Sequence, residues 1–277
     1  MSLTLHVSDL HIGHKAICKY RPFYNSTHHD LYMITMLFLN ADFRSILIPH
    51  GDSVFVNTYD DVLKNIWGIY QKVYDLGGNH CYENVKLKDK FFMTLDNVEV
   101  QAFFKKYNVW NSHAPVHPAE LRDRLNLHGH VHDETVQDHR YVNCSMESEI
   151  MKYWPRNHQY LVANAATVEF RDHSLSRRDK WVNHLTDIFA QELPRQLYDY
   201  TRVIATSEEL TRAHLATLAS FRRDTFVKTQ RAVLADMKRF ADAGLELFSK
   251  FKPEELADLL HNKHYGTMFY AEHYGDV

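Results

Sequence analysis

The stretch LTLHVSDLH, residues 3–11, decides how this chain is read. Leu3 to Val7 form a short apolar, strand-like run, and Asp9 and His11 follow it directly in a turn. Four further elements repeat this order of strand-like run and polar turn: Gly51-Asp52, Gly78-Asn79-His80, Ser112-His113 and Gly129-His130-Val131-His132. A parallel sheet delivers the C-terminal ends of its strands to one edge, so residues far apart in sequence can meet there.

Between these elements the apolar spacing turns helical. Leu31, Ile34, Phe38 and Leu39 predict a helix over 28–42, and Val62, Ile66 and Ile69 predict another over 60–70. Residues 45–48 and 72–76 read as strands, the first ending at Pro49 and the second broken by Gly77-Gly78. Short apolar runs follow at 91–92, 98–104, 108–110, 125–127, 141–146 and 160–162. Alternating strands and helices followed mostly by strands predict a layered α/β protein with parallel, then mixed, pairing. From about residue 175 the texture becomes helical. Thr206 is expected to cap a helix with Glu209 closing a capping box. The apolar positions from Leu210 to Phe240 predict one long helix or two, Pro253 opens another, and Gly266 is its expected stop.

The side chains expected to converge are two Asp, one Asn and four or five His. Carboxylate, amide oxygen and imidazole make a mixed oxygen/nitrogen set that suits manganese, iron, zinc or nickel. Seven ligands exceed the needs of one tetrahedral ion. Two ions sharing a carboxylate are the economical solution, and metal pairs roughly 3.5–4 Å apart serve hydrolysis at phosphorus. His14 and Lys15 follow the first element and are candidate phosphate contacts. Arg21, His28 and His29 are weaker candidates, His117 and His128 flank ligand positions, and Trp110 is expected to pack beneath the site.

The order D-x-H, G-D, G-N-H, H, G-H-x-H resembles the calcineurin-like metallophosphoesterase superfamily. The match to small bacterial and bacteriophage members extends over Asp9-Leu-His-Ile-Gly-His-Lys15, His128 to His132 and Tyr141 to Glu147, within roughly residues 3–150. The resemblance implies an α/β/β/α sandwich with a C-terminal helical extension. It implies two divalent metal ions, manganese first, with iron, zinc, nickel or magnesium as alternatives. Asp9, His11 and His132 would hold one ion; Asn79, His113 and His130 would hold the other; Asp52 would bridge them. His80 would be the catalytic residue beside the phosphate. Two positions depart from the pattern: Phe55 stands where many members have a second aspartate after G-D, and Cys81 where many have Asp or Glu after G-N-H. The departure removes the expected orienting partner of His80, for which Glu83 or a backbone carbonyl is the substitute.

Composition narrows the partners. A formal net charge of -3 gives no general attraction to nucleic acid or anionic membrane. Three widely spaced cysteines form no disulfide framework or zinc ribbon, the N-terminus lacks a signal-peptide pattern, and no apolar run approaches the roughly 20 residues of a membrane span. A cytoplasmic location is expected, the host cytoplasm for a phage-encoded chain. A catalytic domain over 1–173 and a helical extension over 174–277 are expected. The extension, with 15 Lys/Arg against 15 Asp/Glu, should pack on the main domain, with a dimerising element or substrate cap as the alternatives. The expected substrate is a small phosphate ester, a nucleotide first. The alternatives are a nuclease using Arg222, Arg223, Lys228 and Arg231 as a basic strip, and a metal-binding protein without turnover.

Overall fold

A computed structural model describes residues 3–80, 94–167, 174–243 and 250–262. The first five-stranded sheet has the order β4-β3-β2-β1-β9, built from β1 (Thr4–Val7), β2 (Ile46–Pro49), β3 (Lys72–Asp75), β4 (Val98–Val100) and β9 (Arg156–Asn157). Strands β1 to β4 run parallel and β9 is antiparallel to β1. A second sheet has the order β5-β6-β7-β8, from β5 (Phe103–Lys106), β6 (Val109–Ser112), β7 (Asn126–His128) and β8 (Tyr141–Asn143). Here β6, β7 and β8 are parallel and β5 pairs antiparallel with β6. The chain is therefore α/β with two mixed sheets.

Helix α1 (Ser26–Asn40) follows β1, capped by the Asn25 side chain accepting from His28 N at 2.8 Å, and α2 (Asp60–Trp67) follows β2. α1 is buried from His28 to Phe38, so it is a core helix rather than a surface one. Short helices α3 (Pro118–Leu121) and α4 (His158–Asn164) come next. The extension supplies α5 (Arg177–Phe189), α6 (Glu192–Ile204), α7 (Glu208–Ser220) and α8 (Phe226–Asp242), and 253–262 is helical too. Among the described residues no helix is long and apolar enough to cross a membrane.

Several expectations are corrected. Residues 160–162 lie in helix α4, because Asn157 caps it by accepting from Tyr160 N. The run 98–104 splits between β4 and β5, which belong to different sheets. The cap of α7 is Ser207, one residue after the expected Thr206, whose hydroxyl instead donates to the Val203 carbonyl. The stretch from Leu210 to Phe240 takes the second of its two expected forms, two helices with a break over 221–225. Trp110 lies beside Phe103 and under Lys105 on a half-exposed face, not beneath the site. The run 91–92, Cys81, Glu83 and Gly266 fall outside the described residues.

The expected boundary at 173 does not divide the core. Leu5, Val7, Leu47 and Val73 of the first sheet and Leu127 and Val142 of the second share one buried cluster with Trp181, Leu185, Tyr198 and Met237 of the extension. Polar links tie the same parts together. Gln230 Nε2 donates to carbonyls at the C-terminal end of α1, His28 Nε2 donates to Tyr198 O at 3.0 Å, and Tyr198 Oη donates to Pro22 O at 2.5 Å.

The interior also holds neutral histidines. The Ser112 carbonyl accepts from His50 Nδ1 at 3.1 Å, so His50 Nε2 must accept from His6 Nδ1 at 2.9 Å. By the same logic His6 Nε2 accepts from His158 Nδ1 at 3.3 Å. One carbonyl thus sets three tautomers. Burial pushes His50 down to about 3 and His128 and His214 to about 4, and lowers His6, His28 and His29 as well. In the unfolded chain these groups take up protons near pH 6.5, while the folded chain refuses them until much lower pH. Their stabilising contribution is complete above pH 6.5 and is lost on acidification. Thermal melts should therefore show Tm falling steeply between pH 6.5 and 4, each such histidine adding at most about 1.4 kcal/mol per pH unit. His214→Gln, which leaves Thr35 a hydrogen-bonding partner, should flatten that fall; an unchanged slope would contradict the assignment.

Candidate metal centre

The turns after β1, β2, β3, β6 and β7 all open on one edge, and they carry Asp9 and His11, Asp52, Asn79 and His80, His113, and His130 and His132 respectively. Two groups of ligand atoms within 4.8 Å of one another result: Asp9, His11 and His132, and Asp9, Asp52 and His113. Asn79 joins them through Oδ1, 2.9 Å from His113 Nε2 and 3.1 Å from His130 Nδ1. All seven expected ligands thus meet. Asp9 belongs to both groups. The centre is graded in depth: Asp9, His11, Asp52 and His113 are buried, whereas Asn79 and His130 are exposed.

Backbone geometry at the centre is unusual. Asp9 (φ 52°), His11 (52°), Asp52 (49°), His130 (73°) and His132 (56°) all occupy the left-handed region. Non-glycine residues adopt it rarely, and such conformations persist where surrounding structure enforces them. Hydrogen bonds enforce it here: Asp9 N donates to Gly51 O, His11 N to Asp52 O and His130 N to Asp9 Oδ2. The motif glycines have a steric cause. A Cβ on Gly78 would overlap the Asp52 carboxylate, and one on Gly129 would overlap Ser8 Oγ and Asp9 Oδ2.

The donor arithmetic favours a cation. Asp9 Oδ2 accepts from Ser8 Oγ (2.6 Å), Ser145 Oγ (2.8 Å) and His130 N (2.9 Å). Asp9 Oδ1 is buried without a hydrogen bond, as are both ring nitrogens of His11. Oδ1 and His11 Nε2 stand 3.7 Å apart, too far for a hydrogen bond. That is close to the separation of about 3.0–3.4 Å between two ligands of one ion bound at about 2.1 Å. His113 Nδ1 donates to the His50 carbonyl at 2.6 Å, which leaves Nε2 as an acceptor facing Asn79 Oδ1 and, at 3.4 Å, Asp52 Oδ2. His132 Nδ1 donates to Glu147 Oε1 at 2.7 Å and likewise keeps Nε2 bare. Acceptors facing acceptors are stable only around positive charge.

The titration directions agree with this. Burial pushes the Asp9 carboxyl up, but His11, His132 and His113 around it bring it far below the usual carboxylate range. Burial pushes His132 down and Glu147 overrides it, raising the ring to about 9; Asp52 and Asp9 similarly raise His113 against burial.

His80 lines the cleft beside the centre. Its backbone N donates to Asp52 Oδ1 at 3.0 Å, and its ring lies 5.9 Å from that of His11. Phe55, in place of the second aspartate, packs against His11 and His14 (each 4.9 Å) and His80 (5.1 Å). An aromatic wall thus stands where the pattern led one to expect a charge. His14 lines the cleft and Lys15 is exposed outside its lining. Arg21, His28 and His29 are fully buried and make no surface for a phosphate. His117 caps α3, and His128 is buried with Nδ1 donating to Gly129 O.

The cleft has a volume of about 780 Å³. Its outer wall is one that sequence reasoning missed: Lys19 and Tyr20 on one side, Arg177, Lys180 and His184 of α5 on the other. Lys180 pairs with Asp133 at 2.7 Å, which fastens α5 to the turn bearing His132. Glu147 was also missed as a site residue. Only its place in the strand segment after β7 hinted at a role.

No family model matches the chain, and no curated protein matches it either. Among solved structures, a protein of unknown function from Aquifex aeolicus aligns at 17% identity over 59% of this chain and 99% of its own, with a TM-score of 0.43, a likeness too loose to bear on fold or function.

Gly78→Ala should lower divalent-cation affinity about 10–100-fold, the range for displacing groups that support metal ligands. Calorimetric titration of metal-free protein would measure this; wild-type affinity would show that the close approach to Asp52 does not matter.

Proposed function

We propose that this chain is a dinuclear metal-dependent phosphoesterase acting on a small phosphate ester, a nucleotide foremost. One observation carries the reading: buried polar atoms with no hydrogen bond, Asp9 Oδ1 and the His11 ring nitrogens above all, gathered with Asp52, Asn79, His113, His130 and His132 where the edges of the two sheets meet. The ligand set contains no thiolate and has mixed oxygen and nitrogen donors, which suits manganese, with iron, zinc, nickel or magnesium as alternatives. The two sheets with their shared core are then the inner layers of an α/β/β/α sandwich, in keeping with the resemblance drawn from the motifs.

When bound, two such cations lower the pKa of water and neutralise charge on phosphoryl oxygens. The protein's part is positional. Asp9 and Asp52 are held rigidly by backbone and hydroxyl donors, and His113 and His132 are held in the Nδ1–H tautomer. His80 stands at the cleft wall, where it can donate a proton to a leaving oxygen or support charge on the phosphate. Phe55 beside it excludes water from that flank.

A cleft of about 780 Å³ holds more than a phosphate. The 63% exposed Tyr20 offers a stacking face, and Lys19 and Arg177 form no ion pair among the described residues. An aromatic face with nearby cations suits a nucleotide. Arg222, Arg223, Lys228 and Arg231 line none of this cleft, so the basic strip of the nuclease reading lies away from the centre.

Metal-free protein reconstituted with manganese should hydrolyse para-nitrophenyl phosphate and mononucleotides more readily than a bis ester or linear DNA. Preference for bis ester and DNA would replace the phosphatase by a nuclease, and full metal occupancy without turnover would leave only a binding protein. Asp52→Asn should abolish turnover. His80→Ala should slow it by about 10²–10⁴-fold, the range for general acid–base groups, with metal content retained.

A further inference from the structure

Arg21 is the largest charged side chain with no solvent exposure, and nothing in the proposed chemistry uses it directly. Its guanidinium has five N–H donors, and all five are engaged. Nε and Nη2 hold the Glu147 carboxylate at 3.3 and 2.6 Å. Nη1 donates to the Leu10 carbonyl at 3.3 Å and to His29 Nε2 at 3.0 Å, and Nη2 donates to the Asp9 carbonyl at 2.5 Å.

Three of these acceptors, Glu147 and the Asp9 and Leu10 carbonyls, stand one step from a ligand of the same ion. Glu147 Oε1 receives the Nδ1–H of His132 and so aims its Nε2. The Asp9 and Leu10 carbonyls belong to the left-handed turn that presents Asp9 and His11. Behind Arg21, His29 Nδ1 donates to Asp30 Oδ1 at 3.0 Å, which makes Nε2 an acceptor suited to the guanidinium. Asp30 Oδ1 also accepts from Gly13 N at 3.0 Å, so the network grips the turn over 9–13 at both ends. The second ion's ligands take their orientation elsewhere: His113 Nδ1 donates to the His50 carbonyl.

We infer that Arg21 is a positioning residue: through Glu147, which aims His132, and the Asp9–Leu10 carbonyls it sets the affinity of the ion held by Asp9, His11 and His132 far more than that of its neighbour, which shares Asp9 but draws Asp52 and His113 from other turns. The inference rests on the dinuclear reading above. A lysine at this position keeps the charge but has three donors on one atom and cannot form the two-pronged grip on a carboxylate.

The test is calorimetric titration of manganese into metal-free wild type, Arg21→Lys and Glu147→Gln, with circular dichroism and the metal-free Tm recorded for each. Wild type should bind two ions. Each variant should keep one ion within a few-fold of wild-type affinity and bind the other about 10–100-fold more weakly, the usual effect of losing a ligand's supporting partner. If Arg21→Lys fails to fold, Glu147→Gln carries the test alone, since it keeps the acceptor for His132 but lacks the charge that holds the guanidinium. Equal weakening of both ions would mean general loosening and overturn the inference, as would two ions bound normally in a folded variant. Wild type binding no ion would instead remove the dinuclear reading itself.

Discussion

The structure turns on the two unequal oxygens of the Asp9 carboxylate. Oδ2 is saturated by Ser8, Ser145 and His130, one donor from the end of β1, one from beyond β8 and one from the turn after β7. Those three bonds fasten the edges of both sheets to one atom. Oδ1, equally buried, receives no hydrogen bond. A carboxylate in a core costs several kcal/mol unless charge or donors compensate it. Half of this one is compensated by structure, and the other half faces His11 and the ligand cluster. The left-handed backbone at Asp9 and His11 follows from the need to point both side chains into the same small volume.

The supports of that volume are layered. Arg21 holds the turn from behind, and the carbonyls on either side of Arg21 are held in turn by the extension. Trp181 Nε1 of α5 donates to Tyr20 O at 3.1 Å, and Tyr198 Oη of α6 donates to Pro22 O. The helices after residue 173 therefore brace the segment that braces the centre, besides forming one wall of its cleft. Deleting them would remove part of the shared core and both of these bonds, so they are poorly described as an appendage.

The candidate ligands are legible in sequence because strand-then-turn order is local. Each of the five elements announces itself within a few residues, and parallel pairing does the gathering. The supports were not legible because they depend on distance. Arg21 and Glu147 lie 126 residues apart, and nothing local marks Arg21 as buried. The same holds for Lys180 and Asp133. Local competition explains the smaller misses. Thr206 and Ser207 are both competent caps, and a hydroxyl already committed to the Val203 carbonyl decides between them. At residues 160–162, an apolar run short enough for a strand became helical because Asn157 caps its first turn.

Twenty histidines raised the question of which ones matter, and burial alone does not answer it. His6 and His50 are as buried as His11. What separates them is whether the ring has been given partners. His6 and His50 spend both nitrogens in a chain ending on the Ser112 carbonyl, which holds the rings neutral and leaves no lone pair to spare. They, too, could be grouped with Cys144 as ligand-competent side chains, yet their hydrogen bonds are complete without a cation. His113 and His132 use one nitrogen to fix the tautomer and present the other to the centre, and His11 has neither nitrogen hydrogen-bonded. Bare nitrogens that converge on the Asp9 and Asp52 carboxylates are suited to a cation, whereas rings satisfied on both sides are part of the frame; His128, whose Nε2 is also bare, converges on neither group.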